Sequence, residues 1–140
     1  MGKFGHLKRF SVRGREASVS VPCLGPDAKI RGRPATESNP AWLQRGLENP
    51  SLRGEGIRSP DALARAIDEV CVEFSKVVLT GWEGVCDQDG KLVEFSQENA
   101  LDLMRALPPQ ARNELIAFFK NDMNFVSPDS IGAVEERSGN

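Results

Sequence analysis

The stretch Val77–Leu107, VVLTGWEGVCDQDGKLVEFSQENALDLMRAL, decides how this chain is read. An apolar helical pattern runs into Gly81, the residue type that most readily ends a helix. Trp82 then starts a short loop, and Asp87-Gln88-Asp89-Gly90 has the chemistry of a turn. Ser96 opens a second amphipathic helix, with Glu98 in its first turn and Leu101, Met104 and Leu107 on its apolar face. A short hairpin, Glu83-Gly84-Val85 against Leu92-Val93-Glu94, is expected within the connection.

Working upstream, Ser59-Pro60-Asp61 is a helix start with a cap, a Pro in the first turn and an acid at the positive dipole end. Leu63, Ile67, Val70, Phe74, Val77 and Val78 follow at steps of three and four, which predicts one helix to about Thr80. Residues 50–58 read as a mobile linker. Before them, Ser38 or Asn39 caps a helix carrying Trp42, Leu43 and Leu47 on one face. From Glu16 to Leu24, Ala17, Val19, Val21 and Cys23 alternate with polar residues, a strand pattern. Gly25-Pro26-Asp27 turns the chain and Ala28–Arg31 returns it. Downstream, Pro108-Pro109 separates the second helix from another that carries Ala111, Leu115, Ile116, Phe118 and Phe119.

These elements predict an α+β fold, mainly α: an N-terminal β-hairpin followed by about four helices, with disordered termini. Residues 1–15 are expected to form a basic flexible arm, residues 16–126 a single domain, and residues 127–140 a disordered tail.

Composition narrows the chemistry. Of 140 residues, 39% are hydrophobic, enough for a modest core, whereas only 6% are aromatic, which argues against an aromatic-rich binding surface. No apolar run approaches the roughly 18 residues of a membrane span, and the basic start is not followed by the apolar stretch of a secretory signal. Three cysteines at wide spacing, Cys23, Cys71 and Cys86, form no CxxC pair and read as reduced thiols, with Cys71 buried on a helix face. His6 is the single histidine, so a His/Cys metal site is not expected.

Charge is divided along the chain. Residues 1–58 carry eleven Lys or Arg against five acids, and residues 59–140 carry seven against fifteen. The first fifteen residues hold Lys3, Lys8, Arg9, Arg13 and Arg15 and no acid. Such a split points to an electrostatic partner, or to self-association between unlike halves of neighbouring copies. No stacking aromatics or nucleic-acid motif accompany the basic residues, so nucleic acid is not the expected partner.

The acidic connection invites two catalytic readings and fails both. An EF-hand loop has Gly at its sixth position and Glu at its twelfth; placing Gly90 sixth puts Val85 first and Ser96 twelfth, neither with the required carboxylate. Glu83, Asp87, Asp89 and Glu94 have no nucleophile elbow or His partner beside them for a hydrolase. The loop reads as a turn whose Asp residues satisfy local backbone groups. No catalytic, cofactor-binding or metal residue is assigned and no enzyme activity is expected. The candidates are instead interface residues. Trp82, just after a helix end, reads either as a binding anchor or as a core lid over Phe74 and Val78, Trp42 carries the same two readings, and Phe118 and Phe119 are neighbours that cannot both point into one core stripe.

One resemblance rests on these residues. Val78-Leu79-Thr80-Gly81-Trp82-Glu83-Gly84-Val85, the Asp89-Gly90-Lys91 turn, Phe95-Ser96 opening a helix with Glu98-Asn99-Ala100, and the closing Asn124-Phe125 resemble the tail assembly chaperones of long-tailed bacteriophages. Val21-Pro22, Leu24–Ala28 and Asn39–Trp42 look similar too, so the likeness spans roughly residues 17–126. It implies a non-enzymatic protein of the host cytoplasm that binds the tape measure protein, the tail tube protein, or both. It is also compatible with a structural virion protein of the tail or head–tail junction. A small phage-encoded regulator that binds a host protein or nucleic acid through the basic arm is the remaining alternative.

Overall fold

The computed structural model describes residues 3–10, 12 and 14–126. The tail expected at 127–140 lies outside the described residues.

The predicted hairpin is present. Strand β1 (Ala17–Ser20) pairs antiparallel with β2 (Lys29–Gly32), with Val19 opposite Ile30. Ile30 is fully buried while Lys29 and Arg31 face outward, so the period-2 pattern sets which face meets the helices. The strands are joined by a 3-10 turn, Pro22–Leu24, ending at Gly25. Gly25 and Gly84 bring the far end of the hairpin against a later loop. A side chain on Gly25 would strike the Gly84 carbonyl, and Gly84 itself has φ 70° with the Asp27 carbonyl filling the space a Cβ would need.

The largest departure from the sequence reading lies in the opening stretch. Helix α2 spans Pro60–Glu73 and does not reach Thr80. Phe74–Val78 widens into a π-turn, and Leu79–Glu83 becomes a strand, β3, on the other side of β2. Gly81 is therefore no helix stop, and Trp82 lies in a strand opposite Ile30 rather than starting a loop. The cause is an alternative set of backbone partners. The Ser75 hydroxyl donates to the Val72 carbonyl at 2.6 Å, Asn39 Nδ2 donates to the Val77 carbonyl at 2.9 Å, and Arg33 N–H donates to the Val78 carbonyl at 2.8 Å. Carbonyls released from the helix are satisfied elsewhere, so the β-branched run Val77-Val78 leads directly into a strand. The sheet has three strands in the order β1-β2-β3.

Helix α1 (Pro40–Glu48) starts at Asn39, whose side chain accepts from Ala41 N–H. Its three apolar residues do not share a buried face: Trp42 packs edge-on against Phe74, while Leu43 and Leu47 are exposed. Leu63 of α2 is exposed as well. The expected linker at 50–58 contains a 3-10 turn, Pro50–Arg53, that buries Leu52. Asn49 and Ser51 both donate to the Glu69 carboxylate, which holds this segment against α2. Arg45 pairs with the buried Glu73 at 2.9 Å and fixes the end of α1 to the end of α2.

Ser59 caps α2 and Ser96 caps α3 (Gln97–Ala106), each accepting the N–H three residues on, as read from the sequence. Helix α4 (Pro109–Phe119) follows after Leu107-Pro108. The core gathers Phe74, Phe119, Ile30, Met104 and Val78 with no exposed surface. Phe119 lies 6.4 Å from Phe74 and 6.0 Å from Phe125, centroid to centroid. Its ring also leaves no room for a side chain on Gly32. The end of the described chain is tied back by Asp122, which accepts from Thr36 Oγ1 at 2.6 Å and Ser38 Oγ at 3.0 Å. In the tract expected to be a basic arm, Gly5–Phe10 makes a 3-10 turn and Val12 enters the core, leaving Phe4 and Leu7 exposed.

Replacing Phe119 by Ala is expected to cost about 3–5 kcal/mol, measured by urea unfolding, because the cavity would open beside Phe74, Phe125 and Gly32. Acid is expected to loosen the hold of α2 on the 50–53 turn and on α3. Hydrogen bonds from Ser51 and Asn49 hold the Glu69 carboxyl below its ordinary value, and the Arg105 guanidinium does the same for Asp68. A folded-state pKa below the unfolded one stabilises at higher pH, and that contribution is lost as pH falls through the folded value. The melting temperature should therefore drop on acidification below the ordinary carboxylate range, and less so in Glu69→Gln.

Candidate functional site

The acidic turn is satisfied from within. The Asp87 carboxylate accepts the N–H groups of Asp89 and Lys91 at 2.8 and 2.9 Å, and Gly90 takes a positive φ of 77°. Asp87 N–H in turn donates to the Lys91 carbonyl, and Cys86 bridges to Leu92. Its far strand is tied to the start of α3, where Asn99 Nδ2 donates to the Glu94 carbonyl at 2.9 Å. Among the described residues, no three His, Cys, Asp or Glu side chains are placed to hold a metal ion, and no helix is long and apolar enough to cross a membrane.

Between that hairpin, the 3-10 turn at Pro22–Leu24 and one face of α3 lies a cleft of about 500 Å³. This is within the range of ligand clefts, about 300–1,000 Å³. Leu24, Trp82, Val85, Val93, Leu103 and Leu107 supply its apolar lining. Among the described residues, Asp87 and Asp102 are the charged groups on it, and no Lys or Arg lines it. The wall is held by backbone: Cys86 N–H donates to the Leu24 carbonyl and Val93 N–H to the Val85 carbonyl, both at 2.8 Å. Trp82 is fixed at both ends. Its indole Nε1 donates to the Val93 carbonyl at 2.7 Å, and Phe95 packs edge-on against it at 5.1 Å. A rigid, half-buried Trp in an apolar recess suits the anchoring of another protein's side chains.

Of the four interface candidates, only Trp82 lines this cleft. Trp42 is half-buried on Phe74 at a separate place. Phe118 is half-buried against Phe119 and Phe125. Phe119 is a correction: with no exposed surface it belongs to the core and has nothing to offer a partner. The sequence reading did not pick out Asn99, Asp102 and Ala106, which line the cleft from α3. Their signal was the spacing of three and four on the face beside the Leu101–Leu107 stripe.

The thiols differ in setting. Cys71 is buried, its Sγ lies 3.7 Å from the Met104 carbonyl, and burial pushes its pKa up. Cys23 and Cys86 line the cleft, the first exposed and the second half-buried.

The family described as YdaY prophage protein matches residues 51–124, more than half of the chain. The chain belongs to that family. It is thus a protein of phage origin, and the matched segment carries every cleft-lining residue except Cys23 and Leu24. Neither the curated proteins nor the solved structures include a significant match.

Thiol labelling with a maleimide should modify Cys23 fastest and Cys71 only on unfolding, because the thiolate is the reactive species and burial suppresses it. Trp82→Phe should keep the Phe95 contact but lose the bond to Val93, at a cost near 1 kcal/mol. Trp82→Ala should lose both, at a cost of several times that in chemical denaturation.

Proposed function

We propose that this prophage protein is a tail assembly chaperone: a non-enzymatic protein that holds the tape measure protein, with or without tail tube subunits, while the tail is built. The observation that carries the reading is the apolar cleft around Trp82. Its walls are pre-formed by backbone hydrogen bonds, and its apolar lining suits the apolar face of an amphipathic helix. Phage origin and the sequence resemblance point the same way. The site is built for holding rather than for chemistry, since its one turn carboxylate, Asp87, is committed to its own backbone. Work of this kind takes place in the host cytoplasm.

The test is co-expression with the tape measure protein of the same prophage. The two should co-purify, and Ala106→Arg should abolish the complex without lowering the melting temperature, since Ala106 is an exposed residue lining the cleft. Mass spectrometry of purified particles gives the second arm. A chaperone should be missing from them, whereas a fixed copy number per particle would replace this reading with that of a structural virion protein.

A further inference from the structure

We propose that the cleft also receives the N-terminal segment of a second copy of this chain, so that copies associate head to tail. The chemistry of the two surfaces matches. The cleft offers apolar walls with Asp87 and Asp102 on them, and Glu83 at the end of β3, Asp89 and Glu94 on the loop and Glu98 at the helix start are exposed nearby, with Lys91 the one cation among them. The N-terminal segment offers exposed Phe4 and Leu7, set in a sequence with Lys3, Lys8, Arg9, Arg13 and Arg15 and no acid before Glu16. Apolar side chains flanked by cations are what an apolar recess with an acidic rim takes best.

Along β1, the end that the N-terminal segment precedes is opposite to the end that leads to the cleft. The N-terminal segment enters β1 at Ala17. The strand leaves at Ser20 into the Pro22–Leu24 turn, where Cys23 and Leu24 line the cleft. At that same end Lys29 pairs with Glu83, and the chain runs on through Val85, Cys86 and Asp87, which also line it. A contact between unlike surfaces on opposite ends is heterologous, so each added copy leaves one free segment and one free cleft. The head-to-tail contact also sets part of the basic first half of one copy, +6 in all, against part of the acidic second half of the next, −8 in all.

This inference does not rest on the tape measure reading, because it is tested on the full chain alone. In sedimentation velocity at low salt, the weight-average mass should rise above the 15.3 kDa monomer with concentration and fall back at high salt. A segment variant carrying Lys3→Glu, Lys8→Glu and Arg9→Glu should stay monomeric. A cleft variant carrying Asp87→Asn, which keeps the turn acceptor, and Asp102→Lys should do the same. Melting temperatures near that of the parent chain establish that both are folded. Mixing the two variants should restore association to a dimer and no further, since only one intact segment and one intact cleft are available per pair. A parent chain that remains monomeric at every concentration and salt overturns the proposal, as does association that survives in either variant or a mixture that stays monomeric. Retention of the tape measure protein by the segment variant, read separately, keeps the failure of one reading distinct from that of the other.

Discussion

The structure depends on how helix α2 is brought to an end. At Phe74 the chain leaves α-helical geometry, and within five residues it is a β-strand. The carbonyls of Val77 and Val78 are handed to Asn39 and Arg33, so the termination is enforced by the segment between β2 and α1 rather than by a local stop signal. Three consequences follow from this exchange. Phe74 and Val78 are driven into the core, β3 is delivered to the open side of β2, and Trp82 is set at the edge of the sheet facing α3. Asn39 serves twice here, because its side-chain oxygen caps α1 while its amide donates to the carbonyls of Pro34 and Val77. One buried side chain thus fixes a helix start, a loop and the end of the π-turn, at the cost of full desolvation if any partner is lost.

Much of the fold was legible from local signals. The caps at Asn39, Ser59 and Ser96, the alternation in β1, the turn at Asp87–Gly90 and the four helices all follow from side-chain chemistry acting over three or four residues. The missed features are those in which a distant partner wins. Gly81 looks like a helix stop, yet it lies within β3 opposite Arg31, whose guanidinium covers it from the paired strand. Val77 and Val78 continue a helical stripe on paper, but their β-branched side chains suit a strand equally well, and only the presence of β2 decides between them. Residues 50–58 look like a linker because Ser, Gly and Arg dominate. Glu69, eighteen residues or more away, supplies the partner that orders their first part.

The site was legible only in outline. Trp82 was found because a large aromatic beside a turn is conspicuous. The cleft around it was not, because it is assembled from a hairpin end near residue 24, a loop near residue 86 and one face of α3. Adjacent phenylalanines in one helix imply that one lies outside the core, and the sequence does not say which. The structure gives Phe119 to the core and leaves Phe118 half-covered at its edge.

The touching glycines at positions 25 and 84 bear on how such a protein diversifies. They let two stretches of main chain meet at the cleft's edge with no side chain between them, so the relative position of hairpin and loop is set by peptide geometry. The exposed side chains of the lining, Ala106 and Asp102 among them, then have no part in that contact. Substitution of Val93, Ala106 or Asp102 would change the lining of the recess while that backbone contact stays in place. Substitution at either glycine would move the contact itself.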